Sequence, residues 1–171
     1  DNAKGRFDFA TRSVLAGGDI YKISVSETGM YKLDRGFLTD ELGIDLGGVD
    51  PRSIRVYGQP GGLLPELVGE DVRDDLTEQA IYIEGEEDGS FDGSDFIVFY
   101  GEGPSTWTYD TDADRYDQPI NIYTDKNYYY LKIGSPGNGL RVTQAGGGGG
   151  QVSSSYDDLF RFEVDSENAL S

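Results

Sequence analysis

Apolar and polar residues alternate with a period of two along most of this chain, the spacing that sends successive side chains to opposite faces of a strand. Tyr21, Ile23 and Val25 alternate with Lys22, Ser24 and Ser26, and Glu27-Thr28-Gly29 turns the chain back through Met30-Tyr31-Lys32-Leu33. That pattern predicts a hairpin. The period changes after Asp34, where Phe37, Leu38 and Leu42 share one helical face, with Asp34 placed to cap the start and Gly43 to close the end. This is the one helix the pattern predicts.

Asp50-Pro51 predicts a turn before a strand over 53–57, and the Gly/Pro-rich stretch 58–62 turns the chain again. Strands over 80–84 and 96–100 flank an Asp/Gly-rich turn. The second reads Phe96-Ile97-Val98-Phe99-Tyr100, apolar on both faces, and is expected to be central in its sheet with Val98 buried. Further strands are predicted over 105–109, 119–123, 128–133, 139–143 and 159–164. Some nine short strands and one helix specify a mainly β chain, a two-layer β-sandwich-like domain with one short helix. Residues 1–12 read as an arm or a first edge strand, 145–155 as a Gly/Ser-rich loop, and 156–171 as a return strand and the approach to a following domain. Too little chain follows the loop to build a second core, so 1–171 is read as a single domain.

Composition supports this reading: 25 glycines, 12 tyrosines and 8 phenylalanines among 171 residues suit many turns between short strands. Charge narrows the partners, because 14 Lys and Arg against 32 Asp and Glu give a net charge of −18. Nucleic acid, whose phosphates need neutralising, is excluded as an expected partner, and anionic membrane surfaces are disfavoured for the same reason. No stretch approaches the roughly 20 apolar residues of a membrane span, so no direct membrane insertion is expected. A surface this acidic also suits a salty habitat. The chain has no Cys and no His, which removes thiol nucleophiles, imidazole bases and the usual zinc ligands.

Three groups of residues remain as candidate chemistry. Asp88, Ser90 and Asp92, followed by Gly93 and Asp95, match the first half of a calcium loop, but Phe99 stands where the bidentate Glu belongs. The other reading is a turn rich in residues that bond their own backbone. Trp107, Tyr109, Tyr116, Tyr123, Tyr128, Tyr129 and Tyr130 could supply stacking platforms for a glycan or, since strands bury alternate residues, core and cross-strand packing. The acidic stretch 58–75, with Glu66, Glu70, Asp71, Asp74 and Asp75, reads as a long irregular loop suited to contact with a partner, or as a crossing between sheets.

Four stretches taken together carry a family resemblance: SVLAGGDIYKISVSETGMYKLDRGFL (13–38), DPRSIRVYGQPGGLLPE (50–66), DDLTEQAIYIEGEEDGSFDGSDFIVFYGEGPSTWTYD (74–110) and NIYTDKNYYYLKIG (121–134). In order and spacing they resemble the N-terminal, non-catalytic region of the sortases of the type IX secretion system, gingipain-like cysteine peptidases of Gram-negative bacteria. The resemblance implies an extracytoplasmic place at the outer-membrane surface, and a parent protein that removes the C-terminal signal of secreted cargo and links the cargo to lipopolysaccharide. It implies as partners the peptidase domain of the same chain and outer-membrane secretion components or cargo. No catalytic residue carries over, because the Cys and His of such a peptidase have no match here. A second expectation, from the aromatic and acidic residues alone, is a glycan- or calcium-binding module of a cell-surface protein; no other cofactor is expected.

Overall fold

A computed structural model describes residues 10–64, 74–143 and 155. It is mainly β, with antiparallel sheets packed together around one core. The first sheet contains β1 (Asp19–Val25), β3 (Arg55–Gly58), β4 (Thr77–Gln79) and β9 (Asn127–Ile133), in the order β1-β9-β3-β4. The second contains β2 (Gly29–Asp34), β5 (Tyr82–Glu84) and β6 (Phe96–Gly101), in the order β2-β6-β5. A separate two-stranded ribbon pairs β7 (Thr108–Asp110) with β8 (Arg115–Asp117).

The inward faces of the two sheets make the core: Ile23, Val25, Val56, Tyr129, Leu131 and Ile133 from the first, Leu33, Ile83, Ile97 and Phe99 from the second. Phe99 and Tyr129 meet across the layers with ring centroids 5.2 Å apart. The Tyr129 hydroxyl accepts the Glu102 N–H at 2.8 Å, so this ring ties the sheets by a polar as well as an apolar contact. Burial is the chief reason its phenol is pushed above the usual value, against the lowering effect of that N–H.

The helix forms where expected, as a widened turn over Phe37–Glu41 in which the Leu42 N–H reaches back to the Phe37 carbonyl. The Asp34 carboxylate accepts the Phe37 N–H at 2.9 Å, and Gly43 takes a positive φ of 68°. Leu38 is fully buried, with Phe37 and Leu42 packed beside it.

The expected hairpin between β1 and β2 does not form. β1 pairs with β9, β2 pairs with β6, and the turn at 26–28 is an arch between the layers. The arch is held by the chain after β6: the Thr28 hydroxyl accepts the Gly103 N–H at 3.0 Å, and a Cβ on Gly103 would press on the backbone of Ser26 and Glu27. An arch lets Ile23 and Val25 face Leu33 across the core, where a hairpin would have set them side by side in one sheet.

β6 is central in its sheet, as expected, but Val98 is only half-buried; the buried positions are Ile97, Phe99 and Gly101. Residues 119–123 form no strand, 139–143 contribute only a single bridge between Arg141 and Ile81, and the strand expected over 105–109 begins at Thr108. β4 and β8 were not expected. The strand predicted over 159–164, the Gly-rich loop 146–150 and most of the arm 1–12 lie outside the described residues.

After β9 the chain runs beside β4 and Ile81, at the edges of the two sheets, and is fastened there by two arginines. Arg141 pairs with Glu86 at 2.7 Å and donates to the carbonyls of Pro51, Arg52 and Ile54. Arg55 pairs with Glu78 at 3.3 Å and donates to the Pro136 carbonyl, while the other oxygen of Glu78 accepts the Leu140 N–H. Both pairs are largely shielded from water, where such bonds are stronger than on the open surface.

Candidate functional site

Beyond β6 the chain leaves the sandwich and builds a surface of different character. Glu102, Gly103 and Pro104 are pinned to the body: the Tyr129 hydroxyl, the Thr28 hydroxyl and the Gly62 N–H hold them in turn. Gly61 packs so closely on the Gly103 carbonyl that a Cβ there would collide with it, which makes glycine necessary at this crossing. From this fixed base the β7-β8 ribbon projects, with Tyr109 and Tyr116 facing each other at 5.0 Å. Tyr109 also donates to the Asp114 carboxylate, a bond that raises its phenol above the usual value, with some desolvation adding to it.

The chain then returns through a loop of side-chain turns instead of the predicted strand. The Ser105 hydroxyl accepts the Asn121 N–H at 3.0 Å, the Asn121 side-chain oxygen accepts the Tyr123 N–H at 3.0 Å, and the Thr124 hydroxyl accepts the Lys126 N–H at 3.1 Å. Between this loop and the arch lies a groove of ≈ 560 Å³ lined by Ser26, Pro104, Ile120, Ile122, Tyr123 and Asp125, among others. Six of the fourteen exposed large apolar residues among the described residues fall between Trp107 and Tyr123, with Ile122 at 79% and Tyr123 at 85% exposure. Between Ser105 and Lys126 the chain carries five aspartates against one arginine and one lysine, and of these Asp125 lines the groove.

The aromatic residues singled out from the sequence therefore divide. Trp107, Tyr109, Tyr116 and Tyr123 are exposed here, Tyr129 is core, Tyr130 is half-buried on the outer face of the first sheet, and Tyr128 carries the Lys22 ammonium 3.5 Å above its ring. Ile120 and Ile122 were missed as site residues because their alternation with Asn121 reads as a strand. The signal that could have found them is the flanking run of Pro119, Asn121, Thr124, Asp125 and Asn127, all turn formers.

Asp88, Ser90, Asp92 and Asp95 share one loop. Asp88 accepts the Ser90 N–H at 2.9 Å, and Asp95, buried against Gly85, accepts the Asp92 N–H at 2.6 Å. Among the described residues no three acidic side chains gather into a group that could hold a metal ion. Of the acidic loop, Glu66, Glu70 and Asp71 lie outside the described residues. Asp74 and Asp75 are spent on the segment 10–14: Asp74 accepts the Ala10 N–H, and Asp75 accepts the Val14 N–H at 2.6 Å and the Ser13 hydroxyl at 3.0 Å. Desolvation pushes the Asp75 carboxyl up, but the N–H groups of Val14 and Leu76 and the Ser13 hydroxyl outweigh it and hold the group below the usual aspartate value.

No helix among the described residues is long and apolar enough to cross a membrane. No protein-family model and no curated protein matches the sequence. Among solved structures, the chain is similar to dimeric latent PorU from Porphyromonas gingivalis, with a TM-score of 0.60 and 31% identity over 84% of this chain. The match spans 12% of the PorU chain, so what this sequence resembles is one region of a much longer protein.

Proposed function

We propose that this chain is a non-catalytic accessory domain of a type IX secretion sortase of the PorU kind, placed at the cell surface and outer membrane, where it positions the peptidase domain or docks its partners. The observation that carries the reading is the match to a region of PorU at 31% identity over 84% of the chain. The chemistry agrees with it, since a chain without Cys or His has neither the thiol nor the imidazole of a cysteine peptidase. Its charge of −18 sets the orientation: the acidic surface is repelled by anionic lipopolysaccharide and turns towards solvent or a basic protein surface.

The test has two parts. The purified chain should leave a peptide bearing a type IX C-terminal signal uncut, and deleting the domain from the full-length parent should impair cargo processing. Cleavage by the isolated chain, or normal processing after deletion, overturns the proposal.

A further inference from the structure

Water-exposed aromatic and aliphatic residues occur singly on most folded surfaces; a contiguous group with a polar rim marks an interaction site. The groove region has that composition. Ile120, Ile122 and Tyr123 stand out from the loop, Trp107, Tyr109 and Tyr116 are exposed on or beside the ribbon, Asp125 lines the groove, and Asp110, Asp112, Asp114 and Asp117 lie in or next to the ribbon. The surface is also held in place: the Ser105, Asn121 and Thr124 side chains fix the loop's backbone, and Glu102 to Pro104 are bonded to the sandwich. Side chains displayed on such a frame lose less freedom when a partner binds.

The bonding pattern discriminates among occupants. A glycan site needs free hydroxyl, amide or carboxylate groups converging beside an aromatic platform. Here the Ser105, Asn121 and Thr124 oxygens already accept backbone N–H groups, so the polar groups left to meet a ligand are the Ser26 and Tyr123 hydroxyls and the Asp125 carboxylate, beside a mainly apolar lining. Lipid headgroups and nucleic acid bring negative charge to a stretch of chain that holds five aspartates against Arg115, which is paired with Asp117, and Lys126. We infer that the groove bounded by Ser26, Pro104 and the 120–125 loop, with the adjoining ribbon, docks a basic polypeptide segment, whose apolar side chains seat against Ile122 and Tyr123 while its Lys or Arg residues face the aspartates. This uses only the surface itself and stands or falls independently of the secretion reading.

The experiment pans a displayed library of random short peptides against the immobilised chain, without any assumption about the natural partner. Enriched peptides should carry net positive charge and at least one aromatic or aliphatic anchor, and their affinity should fall as salt is raised. The Ile122→Ser/Tyr123→Ser double variant should weaken them by about tenfold or more. Asp112→Asn/Asp117→Asn/Asp125→Asn should weaken them less and flatten the salt dependence. All of these positions are exposed except Asp117, which is half-exposed and paired with Arg115 at 3.2 Å, and an unchanged melting temperature verifies the fold. Failure to enrich any peptide, enrichment of acidic peptides, or binding that ignores the double variant overturns the inference. A neutral oligosaccharide or an anionic vesicle that binds at Tyr123 overturns it in favour of that ligand.

Discussion

Tyr129 in β9 is 2% exposed and closes the core against Phe99, whereas Tyr109 and Tyr116 in the β7-β8 ribbon are about half exposed and pair with each other. All three are tyrosines in short strands of alternating pattern. The difference is what lies across from them. β9 is flanked on both edges and faced by a second sheet, so its inward residues are shut off from water on all sides. The ribbon has two strands and no facing layer among the described residues, and a lone pair of strands cannot bury its own faces. Alternation thus marks a strand in both places and stability in only one. In the other it leaves apolar surface free for recognition.

The largest break in this comparison is expected from a charge placed on each side of it. Ile97→Asp puts a carboxylate at a fully buried position of the central strand, and should cost more than about 4 kcal/mol and abolish cooperative unfolding. Ile122→Asp, at a position exposed by 79%, should stay within about 0.5 kcal/mol of the parent in the same denaturant titration. Equal losses would show that the groove is part of the core.

Arg141→Ala comes next. It leaves the Glu86 carboxylate and three carbonyls without the guanidinium that fastens the returning chain to the sandwich, and should cost about 2–3 kcal/mol. Hydrogen exchange should rise at Ile81 and Val142, whose N–H groups make the bridge beside it, well before it rises in β9.

Tyr129→Phe removes only the hydroxyl that accepts the Glu102 N–H while keeping the ring against Phe99. A loss of about 1 kcal/mol in a thermal melt is expected. Because Glu102 begins the segment that carries the ribbon, amide shifts should spread into 102–106 more than into the core.

The smallest effect concerns acid. The folded Asp75 carboxyl lies below its ordinary value of 3.8, so its contribution is complete above that pH. As the pH falls below it, the unfolded chain takes up the proton first, and the contribution is lost through the lower folded value. The melting-temperature gap between the parent and Asp75→Ala should therefore be constant from pH 7 to pH 5 and narrow towards pH 3. A gap that widens in acid would mean that Ser13 and Val14 are not held by this carboxylate.

Much was legible because it is local. The alternation around Ile23 and Tyr129, the apolar run of β6, the Asp34 cap and the Gly43 turn all follow from neighbours a few residues apart, which is the range over which backbone preference acts. The absence of Cys and His is a property of the chain that no fold can alter. Tertiary structure decided the rest, because layer, facing and exposure depend on segments distant in the chain. Gly103 and its neighbours, some 75 residues from Thr28, turn the expected β1-β2 hairpin into an arch. The two flanking strands of β6 set Ile97 and not Val98 towards the core. Side-chain bonds from Ser105, Asn121 and Thr124 convert an alternating stretch into the exposed rim of a groove. A period of two states that opposite faces differ; only the segments packed on each face determine which is dry.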